Sequence, residues 1–360
     1  MNADMVDLLM RLIAAPSISR QEAATADILF HYLTESGLSP RRIGNNIAVL
    51  SREHNQDDTV LSAAGAQKEK PSLLLCSHHD TVRPVPGYRR NPYTPVVEEG
   101  RLYGLGSNDA GGALVCLIEV FKMLYHTDLP YNLILVLCAE EEVSGSGGLP
   151  LALSQLPPID CAIVGEPTGM RAAIGERGLM VLDGEATGVS GHAARQDGVN
   201  AIYRAIEDIH TLCNFPFEKE SPLMGKVHLQ VTQIEAGTQH NVVPDRCRFT
   251  VDVRNTDAYT NQELLELLQS NVQSTLTPRS IRHAASATPA DSSLMDAIQS
   301  SGIEMYVSPT TSDWIHLRCP AVKIGPGDSL RSHTADEYLL LSELDEGVTG
   351  YLKLLELLNY

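Results

Sequence analysis

Hydrophobic positions near the start of the chain follow a helical spacing. Apolar side chains recur every three to four residues from 4 to 15, and Pro16 ends the run because it cannot continue a helix. The segment Ser19-Arg20-Gln21-Glu22 has the form of a capping box, which predicts a second helix running towards Gly37. The chain is therefore expected to begin with two helices.

Short and uniformly apolar runs come next and alternate with a helical pattern. The runs that predict buried strands are 46–50, 73–76, 133–139 and 160–164, with a helix at 112–125 between two of them. Strands that are buried on both faces and separated by helices are typical of parallel sheets. The pattern therefore predicts an α/β fold with a mixed, mostly parallel sheet flanked by helices. The polar stretch 51–71 is interpreted as a surface excursion.

The pattern changes after Gly175. Strand-like alternation and helical spacing follow one another, with strands at 178–188, 226–235 and 246–254 and helices at 197–213 and 259–273. This β-α-β-β-α order predicts a small α+β domain of ferredoxin-like type, with an antiparallel sheet, inserted at 175–284.

The α/β pattern resumes after the predicted insertion. Residues 291–301 and 341–358 have helical spacing, and 321–324 forms a strand-like run. Residues 1–174 and 285–360 are therefore expected to form one domain that the insertion interrupts.

Composition narrows the class of protein. The 360 residues, 43% of them hydrophobic, are enough for two domains with separate cores. No unbroken apolar run exceeds the seven residues 133–139, whereas a bilayer span needs roughly 20. The 27 basic and 45 acidic residues give a net charge of −18, which repels phosphate backbones and anionic lipids. We expect no nucleic-acid partner and no membrane partner.

The cysteine content and the first ten residues indicate where in the cell the protein is located. Seven cysteines occur without a C-x-x-C pair, and several lie in apolar runs, which indicates buried thiols in a reducing environment. The first ten residues contain Asp4 and Asp7 but no Lys or Arg, so the charged start of a secretion signal is missing. A cytoplasmic location is expected.

The first cluster of candidate chemistry follows the run 73–76. Here His78 and Asp80 lie where ligands bind in open α/β sheets, beyond the carboxyl end of a strand. On an extended backbone the two side chains point the same way. An imidazole beside a carboxylate is typical of a metal ligand and the group that orients it, although a polar loop with a solvated histidine remains an alternative.

A glycine-rich segment, Gly104 to Gly112, comes before the predicted helix at 112–125. The dinucleotide pattern G-x-G-x-x-G fails because Asp109 stands at the third glycine, and no Gly-Lys-Ser/Thr follows for a phosphate loop. A carboxylate in this flexible segment suits a cation instead. An N-cap role for Asp109 is equally compatible with the sequence.

Three more clusters complete the set: Glu140-Glu141-Glu142, Gly165-Glu166-Pro167-Thr168, and the segment around His333. Adjacent carboxylates repel one another unless they extend into solvent or a multivalent cation neutralises them. Each cluster alone is compatible with ordinary polar surface. Together, four of the five lie at strand ends and their candidate ligands are histidines and carboxylates, which predicts a two-metal hydrolase. The chain has neither H-E-x-x-H nor a G-x-S-x-G elbow.

In this order and over nearly the whole chain, the five motifs resemble the di-zinc deacylase and exopeptidase family. That family contains acetylornithine deacetylase, succinyl-diaminopimelate desuccinylase, aminoacylase and carboxypeptidase G. The resemblance implies two Zn²⁺, with Co²⁺ as a substitute. It assigns the metal ligands to His78, Asp109, Glu142, Glu166 and His333.

The resemblance also implies roles within that site. Asp109 bridges the two ions, Asp80 orients His78, and Glu141 is the general base. The three consecutive glutamates leave the register open, and we align Glu140 with the acidic residue that often precedes the pair. Gly111 departs from the family, which commonly has lysine there, and this puts only local loop contacts in doubt.

The resemblance extends to the predicted insertion, which is the lid and dimerisation domain in relatives. His192 follows Ser190-Gly191 and is implied to donate to the developing oxyanion in a neighbouring subunit's site. Asn241 and Arg254 are implied to hold the substrate carboxylate. A homodimer formed through this domain is therefore expected.

The expected reaction is hydrolysis of an N-acyl amino acid, and the sequence looks most similar to the acetylornithine deacetylase branch. N-acetyl-ornithine or N-succinyl-ornithine, converted to ornithine in arginine biosynthesis, is the expected substrate. Arg331 could meet a second carboxylate and favour succinyl, whereas a salt bridge is its ordinary interpretation. Pro309 and Thr310 replace the glycines of a substrate loop, so acyl specificity is open.

Other functions remain open at this stage. A dipeptidase, a carboxypeptidase and a succinyl-diaminopimelate desuccinylase belong to the same family. A catalytically silent binding homologue is the alternative from another class, and it would be expected to have lost the base or a ligand.

Overall fold

The computed structural model describes residues 3–51, 70–195 and 197–359. The chain divides into two compact units. The first unit comprises residues 1–174, 288–306 and 312–360, and the second comprises 175–287 and 307–311. The insertion expected at 175–284 lies within the second unit. Most of the predicted surface stretch 51–71 falls outside the described residues.

The described helices are α1 (Ala3–Ala14), α2 (Ala23–Glu35), α3 (Gly112–Leu124), α4 (Leu149–Leu153), α5 (Ala201–Cys213), α6 (Asn261–Gln269), α7 (Ser293–Ser301) and α8 (Leu341–Leu357). No helix in the described part of the chain is both long and apolar enough to cross a membrane.

The described strands are β1 (Arg41–Ile43), β2 (Asn46–Leu50), β3 (Ser72–His78), β4 (Val96–Glu98), β5 (Arg101–Tyr103), β6 (Asn132–Cys138), β7 (Cys161–Val164), β8 (Ala172–Glu176), β9 (Met180–Thr187), β10 (Gly191–His192), β11 (His228–Ala236), β12 (Val242–Val243), β13 (Arg246–Arg254), β14 (Thr275–Pro278), β15 (Ser286–Ala287), β16 (Met305–Ser308), β17 (Ala321–Lys323) and β18 (Tyr338–Leu340).

The central sheet of the first unit has the order β1-β2-β6-β3-β7-β17, followed by the start of β8. Strand β3 runs parallel to β6 and β7, and β17 runs parallel to β7. Strand β2 is antiparallel to β6. The predicted mixed, mostly parallel sheet is confirmed.

Strands β3 and β6 are buried on both faces. Leu73, Leu75 and Leu133 belong to the larger core, which also contains residues of α1, α2, α3 and α8. The intervening residues, such as Leu74 and Ile134, belong to a second core that includes residues of α4. Because successive side chains alternate between two apolar layers, both strands appear in the sequence as unbroken apolar runs.

The parallel strands bring three polar segments to one edge of the sheet. His78 pairs in register with Cys138, and Cys76 pairs with Val164. The segments that follow β3, β6 and β7 therefore emerge side by side at the carboxyl ends of the strands.

The predicted capping box at Ser19 is wrong. Helix α2 begins at Ala23, after Glu22, and the N-cap has no side-chain hydrogen bond. The Ser19 hydroxyl instead donates to Asp80 Oδ2 at 2.7 Å. The partner of Ser19 is therefore a carboxylate that is distant in sequence, and not an amide at the start of α2.

The second unit contains a four-stranded antiparallel sheet of order β11-β13-β9-β14. Helix α5 packs against β9, β11 and β13, and α6 packs against β14. The element order β9-α5-β11-β13-α6 is the one that the alternation predicts, and the two-residue strands β10 and β12 and the strand β14 are additional. This unit has its own apolar core, which includes Leu182, Phe249 and Leu264.

Candidate metal centre

His78 lies at the end of β3 and is almost fully buried. Its Nδ1 donates to the Asp80 carbonyl oxygen at 3.0 Å and lies 3.5 Å from Asp80 Oδ1. Its Nε2 lies 3.2 Å from Asp109 Oδ1 and 3.8 Å from Glu166 Oε1. A proton on Nδ1 leaves the Nε2 lone pair directed at the carboxylates, as a metal ligand requires.

Asp80 connects the ends of two neighbouring strands. Its Oδ1 accepts from the Glu141 amide at 3.0 Å, and its Oδ2 accepts from the Glu142 amide at 3.2 Å. Burial acts to raise the pKa of Asp80, but the hydrogen bonds from His78, Ser19 and the Glu141 amide hold it below the ordinary value. Asp80 therefore positions His78 and also the turn that carries the glutamates.

The three consecutive glutamates point in different directions. Glu140 has a left-handed backbone with φ of 57°, and its Oε2 accepts from the Gly147 amide at 3.3 Å. A Cβ added at Gly145 or Gly147 would lie 2.0 or 2.3 Å from this carboxylate, so a side chain at either position would displace it. Glu140 is folded back on its own loop, whereas Glu141 and Glu142 begin a 3₁₀ turn beside His78.

Five predicted ligands form two groups that share one residue. In each group the potential ligand atoms lie within 4.8 Å of one another; the groups are His78, Asp109, Glu166 and Asp109, Glu142, His333. Asp109 Oδ1 lies 3.2 Å from His78 Nε2, and Asp109 Oδ2 lies 3.6 Å from His333 Nε2. The two oxygens of one carboxylate thus face two different imidazoles, which is the arrangement of a bridging ligand.

The cluster has an excess of negative charge at close range. Burial, with repulsion from Asp109, raises the pKa of Glu166 to about 8, and burial also raises the pKa of Glu142. The hydrogen bond to Glu142 raises the pKa of His333 to about 9. Bound cations would relieve this repulsion, and the nitrogen and oxygen donors fit two divalent metal ions.

Glu141 lies beside the cluster without belonging to either group. Its Oε2 is 3.9 Å from His78 Nε2. Burial raises the pKa of Glu141 well above its ordinary value, and the charges of Glu166 and Asp313 add to this effect. A carboxylate that is close to the metal ligands and has a raised pKa is suited to act as a general base.

His79 faces away from the cluster. Its Nδ1 lies 2.8 Å from Thr25 Oγ1, and its Nε2 lies 3.0 Å from the Asn45 carbonyl oxygen. Burial lowers the pKa of His79 to about 4, so the ring is neutral, with Nε2 donating and Nδ1 accepting. His79 therefore supports the loop behind His78.

Sequence reasoning missed Glu337 as a site residue. Its buried carboxylate accepts hydrogen bonds from the amides of Gly106, Asn108 and Asp109. Burial and the charge of Asp109 raise the pKa of Glu337 to about 8, although these three donors lower it. The only sequence signal is an acidic residue four positions after His333, which is ordinary for a surface.

The departure at Gly111 has a steric explanation. A Cβ at this position would lie 2.4 Å from the Gly106 carbonyl oxygen and 2.5 Å from Leu9 Cδ1. No lysine side chain fits there without a shift of the backbone.

Arg331, which the sequence left open as a partner of a substrate carboxylate or as a salt bridge, is paired within the chain. Its Nη1 and Nη2 donate to the two carboxylate oxygens of Glu343 at 2.9 and 2.5 Å. Nη1 also donates to the Tyr338 carbonyl oxygen at 3.3 Å. The charge is already neutralised by a largely buried partner.

The predicted substrate residues of the second unit are more exposed. His192 in β10 is exposed, and its Nδ1 accepts from the Ala194 amide at 3.2 Å, which leaves the proton on Nε2 as a possible donor. The Asn241 carbonyl oxygen accepts from the Ala193 amide at 3.1 Å, so Asn241 lies beside the His192 turn. Arg254, at the end of β13, donates to both oxygens of Asp252 at 2.8 and 3.1 Å.

Comparison with known proteins identifies the family. Residues 74–357 match the sequence model of peptidase family M20/M25/M40. The chain belongs to this family and is a metal-dependent hydrolase. The resemblance in the sequence motifs is confirmed at this level.

Individual relatives have several activities. The acetylornithine deacetylase of Proteus mirabilis (strain HI4320) is 27% identical over 365 residues, covering 93% of this chain and 91% of that protein. A tripeptidase from Staphylococcus aureus has the same fold, with a TM-score of 0.76, 19% identity and coverage of 98% and 97% of the two chains. A dinuclear metal binding M20 peptidase from Bacillus subtilis gives a TM-score of 0.72 and 13% identity, with coverage of 99% and 98%.

Proposed function

We propose that the protein hydrolyses N-acetyl-ornithine to ornithine and acetate, with two zinc ions held by the five clustered ligands. The observation that carries the two-metal proposal is the placement of Asp109, whose two oxygens face His78 and His333. Each side of this carboxylate also has one glutamate, Glu166 or Glu142. A single carboxylate shared by two such sets is the ligand pattern of a two-metal hydrolase.

Two divalent cations in this site would supply Lewis acidity, which acidifies a water molecule and polarises an amide carbonyl. Glu141 is placed to take the proton from the attacking water and to pass it to the leaving amine. The His192 Nε2 proton is the proposed donor to the developing oxyanion. Asn241 and Arg254 are the proposed partners of the substrate carboxylate.

The acetyl group is preferred over succinyl in this proposal. The Proteus mirabilis relative, an acetylornithine deacetylase, supports an N-acetyl substrate. The argument for succinyl rested on Arg331, which is paired with Glu343. Peptide hydrolysis is the competing function, and the likeness to a tripeptidase favours it.

Assembly and location belong to the same proposal. We place the enzyme in the cytoplasm as a homodimer formed through the second unit, so that His192 of one subunit serves the site of the other. The exposure of His192 and Asn241 supports a role at a surface that meets substrate or a partner. Light scattering on the purified protein tests the oligomeric state.

A substrate panel tests the function. The metal-depleted protein is supplied with Zn²⁺ or Co²⁺ and offered N-acetyl-ornithine, N-succinyl-ornithine, N-succinyl-diaminopimelate and dipeptides. We expect metal-dependent release of ornithine, with the highest kcat/KM for N-acetyl-ornithine. Faster turnover of dipeptides would contradict the substrate, and hydrolysis without added metal would contradict the two-metal site.

A further inference from the structure

The glycine-rich segment that precedes α3 binds a carboxyl group from its own chain. Glu337 Oε1 accepts from the amides of Asn108 and Asp109 at 2.8 and 3.0 Å, and Oε2 accepts from the Gly106 amide at 3.2 Å. Gly106 has φ of 79°, a left-handed conformation that suits glycine. Converging backbone amides of this kind form an anion-binding concavity.

Glu337 is far too buried to be an ordinary surface acid. Its side chain is 1% exposed, and its main chain also takes part because the Gly104 amide donates to the Glu337 carbonyl oxygen at 3.0 Å. Further contacts form at this junction between the glycine-rich segment and the segment 328–337. Asn108 Nδ2 donates to the Asp328 carbonyl oxygen at 3.1 Å, and the Asp328 amide donates to Asn108 Oδ1 at 2.9 Å.

This junction joins two metal-ligand segments that are distant in sequence. Asp109 donates its amide directly to Glu337, and His333 precedes Glu337 by four residues. The Asp109 side chain must remain between His78 and His333 although the neighbouring glutamates repel it. A fixed backbone at Asp109 therefore supports a fixed bridging carboxylate.

We propose that Glu337 is a positioning residue of the metal centre, which holds the backbone of Asp109 at the spacing from His333 that two metal ions require. The inference rests on the proposed two-metal function. Glu337 itself touches neither metal nor substrate in this assignment. Groups that orient metal ligands in this way commonly contribute a factor of about 10–100 in metal affinity.

Asp208 provides a matched control in the second unit. It is buried, and it accepts hydrogen bonds from the Gln273 amide at 3.0 Å, the Ser274 amide at 2.7 Å and the Ser274 hydroxyl at 2.5 Å. The two carboxylates thus have the same chemistry, buried and bound to three donors. Only Glu337 is bonded to a segment that carries a metal ligand.

The experiment compares Glu337→Gln with Asp208→Asn. In each variant one acceptor oxygen becomes an amide donor that faces another donor, so both are expected to lower the Tm of the metal-free protein. Zn²⁺ affinity is measured by chelator competition, and Co²⁺ absorption spectra report ligand geometry. We expect Glu337→Gln to weaken metal binding by about 10–100-fold and to alter the Co²⁺ spectrum, and Asp208→Asn to change neither.

Each outcome decides the matter. Wild-type affinity and an unchanged Co²⁺ spectrum in Glu337→Gln would overturn the positioning role, as would an equal loss of affinity in both variants. If Glu337→Gln does not fold, Glu337→Asp keeps the charge and shortens the side chain, and an affinity equal to wild type there also overturns it. A wild-type protein that does not bind two metal ions instead contradicts the proposed function.

Discussion

The candidate site residues of the two units differ in how they are held. In the first unit the side chains of His78, Asp80 and Glu142 are largely buried, and each contacts a residue from a distant part of the chain. In the second unit His192 and Asn241 are exposed, and the hydrogen bonds described for them join residues of the same exposed turn, at Ala194 and Ala193. Metal ligands need strict geometry before the metal arrives, whereas groups that meet a substrate must remain accessible. The difference predicts distinct consequences of mutation in the two regions.

Glu141→Gln is expected to have the largest effect. Loss of the general base should lower kcat by about 10²–10⁴-fold while two metal ions remain bound, because Glu141 belongs to neither ligand group. Steady-state kinetics and elemental analysis measure the two quantities. Glu140→Gln is the matched control and should keep most of the turnover. Loss of metal from Glu141→Gln would show that the register of the glutamates is wrong.

His192→Ala is expected to have the second-largest effect on kcat. Removal of one oxyanion donor typically lowers kcat by about 10²–10³-fold, and the metal content should stay intact because His192 is not among the clustered ligands. KM should change less than kcat. A loss of metal in this variant would contradict the division between the two regions.

Subunit mixing sharpens the same comparison. A heterodimer of His192→Ala and Glu141→Gln subunits contains one site with both an intact base and an intact donor, if the donor comes from the neighbouring subunit. Part of the activity should then return when the two variants are mixed. No recovery, under conditions in which subunit exchange is demonstrated, would contradict the shared site.

Arg331→Gln should affect stability more than substrate binding. The variant leaves Glu343 without its partner in a largely buried position, which should lower the free energy of unfolding by about 3 kcal/mol. Urea denaturation measures this loss. KM for N-acetyl-ornithine and N-succinyl-ornithine should change less than twofold. A rise confined to the succinyl substrate would restore the substrate role of Arg331.

Ser19→Ala should have the smallest effect of the series. It removes one of the donors to Asp80, which should cost about 1 kcal/mol in stability and lower kcat a fewfold through the turn at Glu141. Ser36→Ala is the control, because that hydroxyl donates to the Tyr32 carbonyl oxygen within α2, away from Asp80. Equal effects of the two variants on kcat would remove Ser19 from the support of the site.

The sequence patterns predicted the bounds of the strands that are buried on both faces to within a few residues. Strands β3 and β6 are examples, because burial in two apolar layers leaves an unbroken signal. The capping box predicted for α2 was wrong because Ser19 bonds to Asp80, 61 positions away. Capping rules consider only neighbouring residues and cannot include such a partner.

The same physical limit applies to the site. The five predicted ligands lie in recognisable motifs, four of which were expected at strand ends, so their proximity could be predicted. The support from Glu337 could not, because its partners lie about 230 positions earlier in the chain. The partner of Arg331 could not be predicted for a related reason, since nothing in the local sequence identifies Glu343.

The five clustered donors are nitrogen and oxygen atoms only, although thiols lie in the same strands. Cys76 and Cys138 belong to β3 and β6 and are completely buried, and burial raises the pKa of Cys138 well above its ordinary value. Oxidants release zinc from cysteine sites by attacking thiolate ligands. Candidate ligands that are imidazoles and carboxylates offer no thiolate for such an attack.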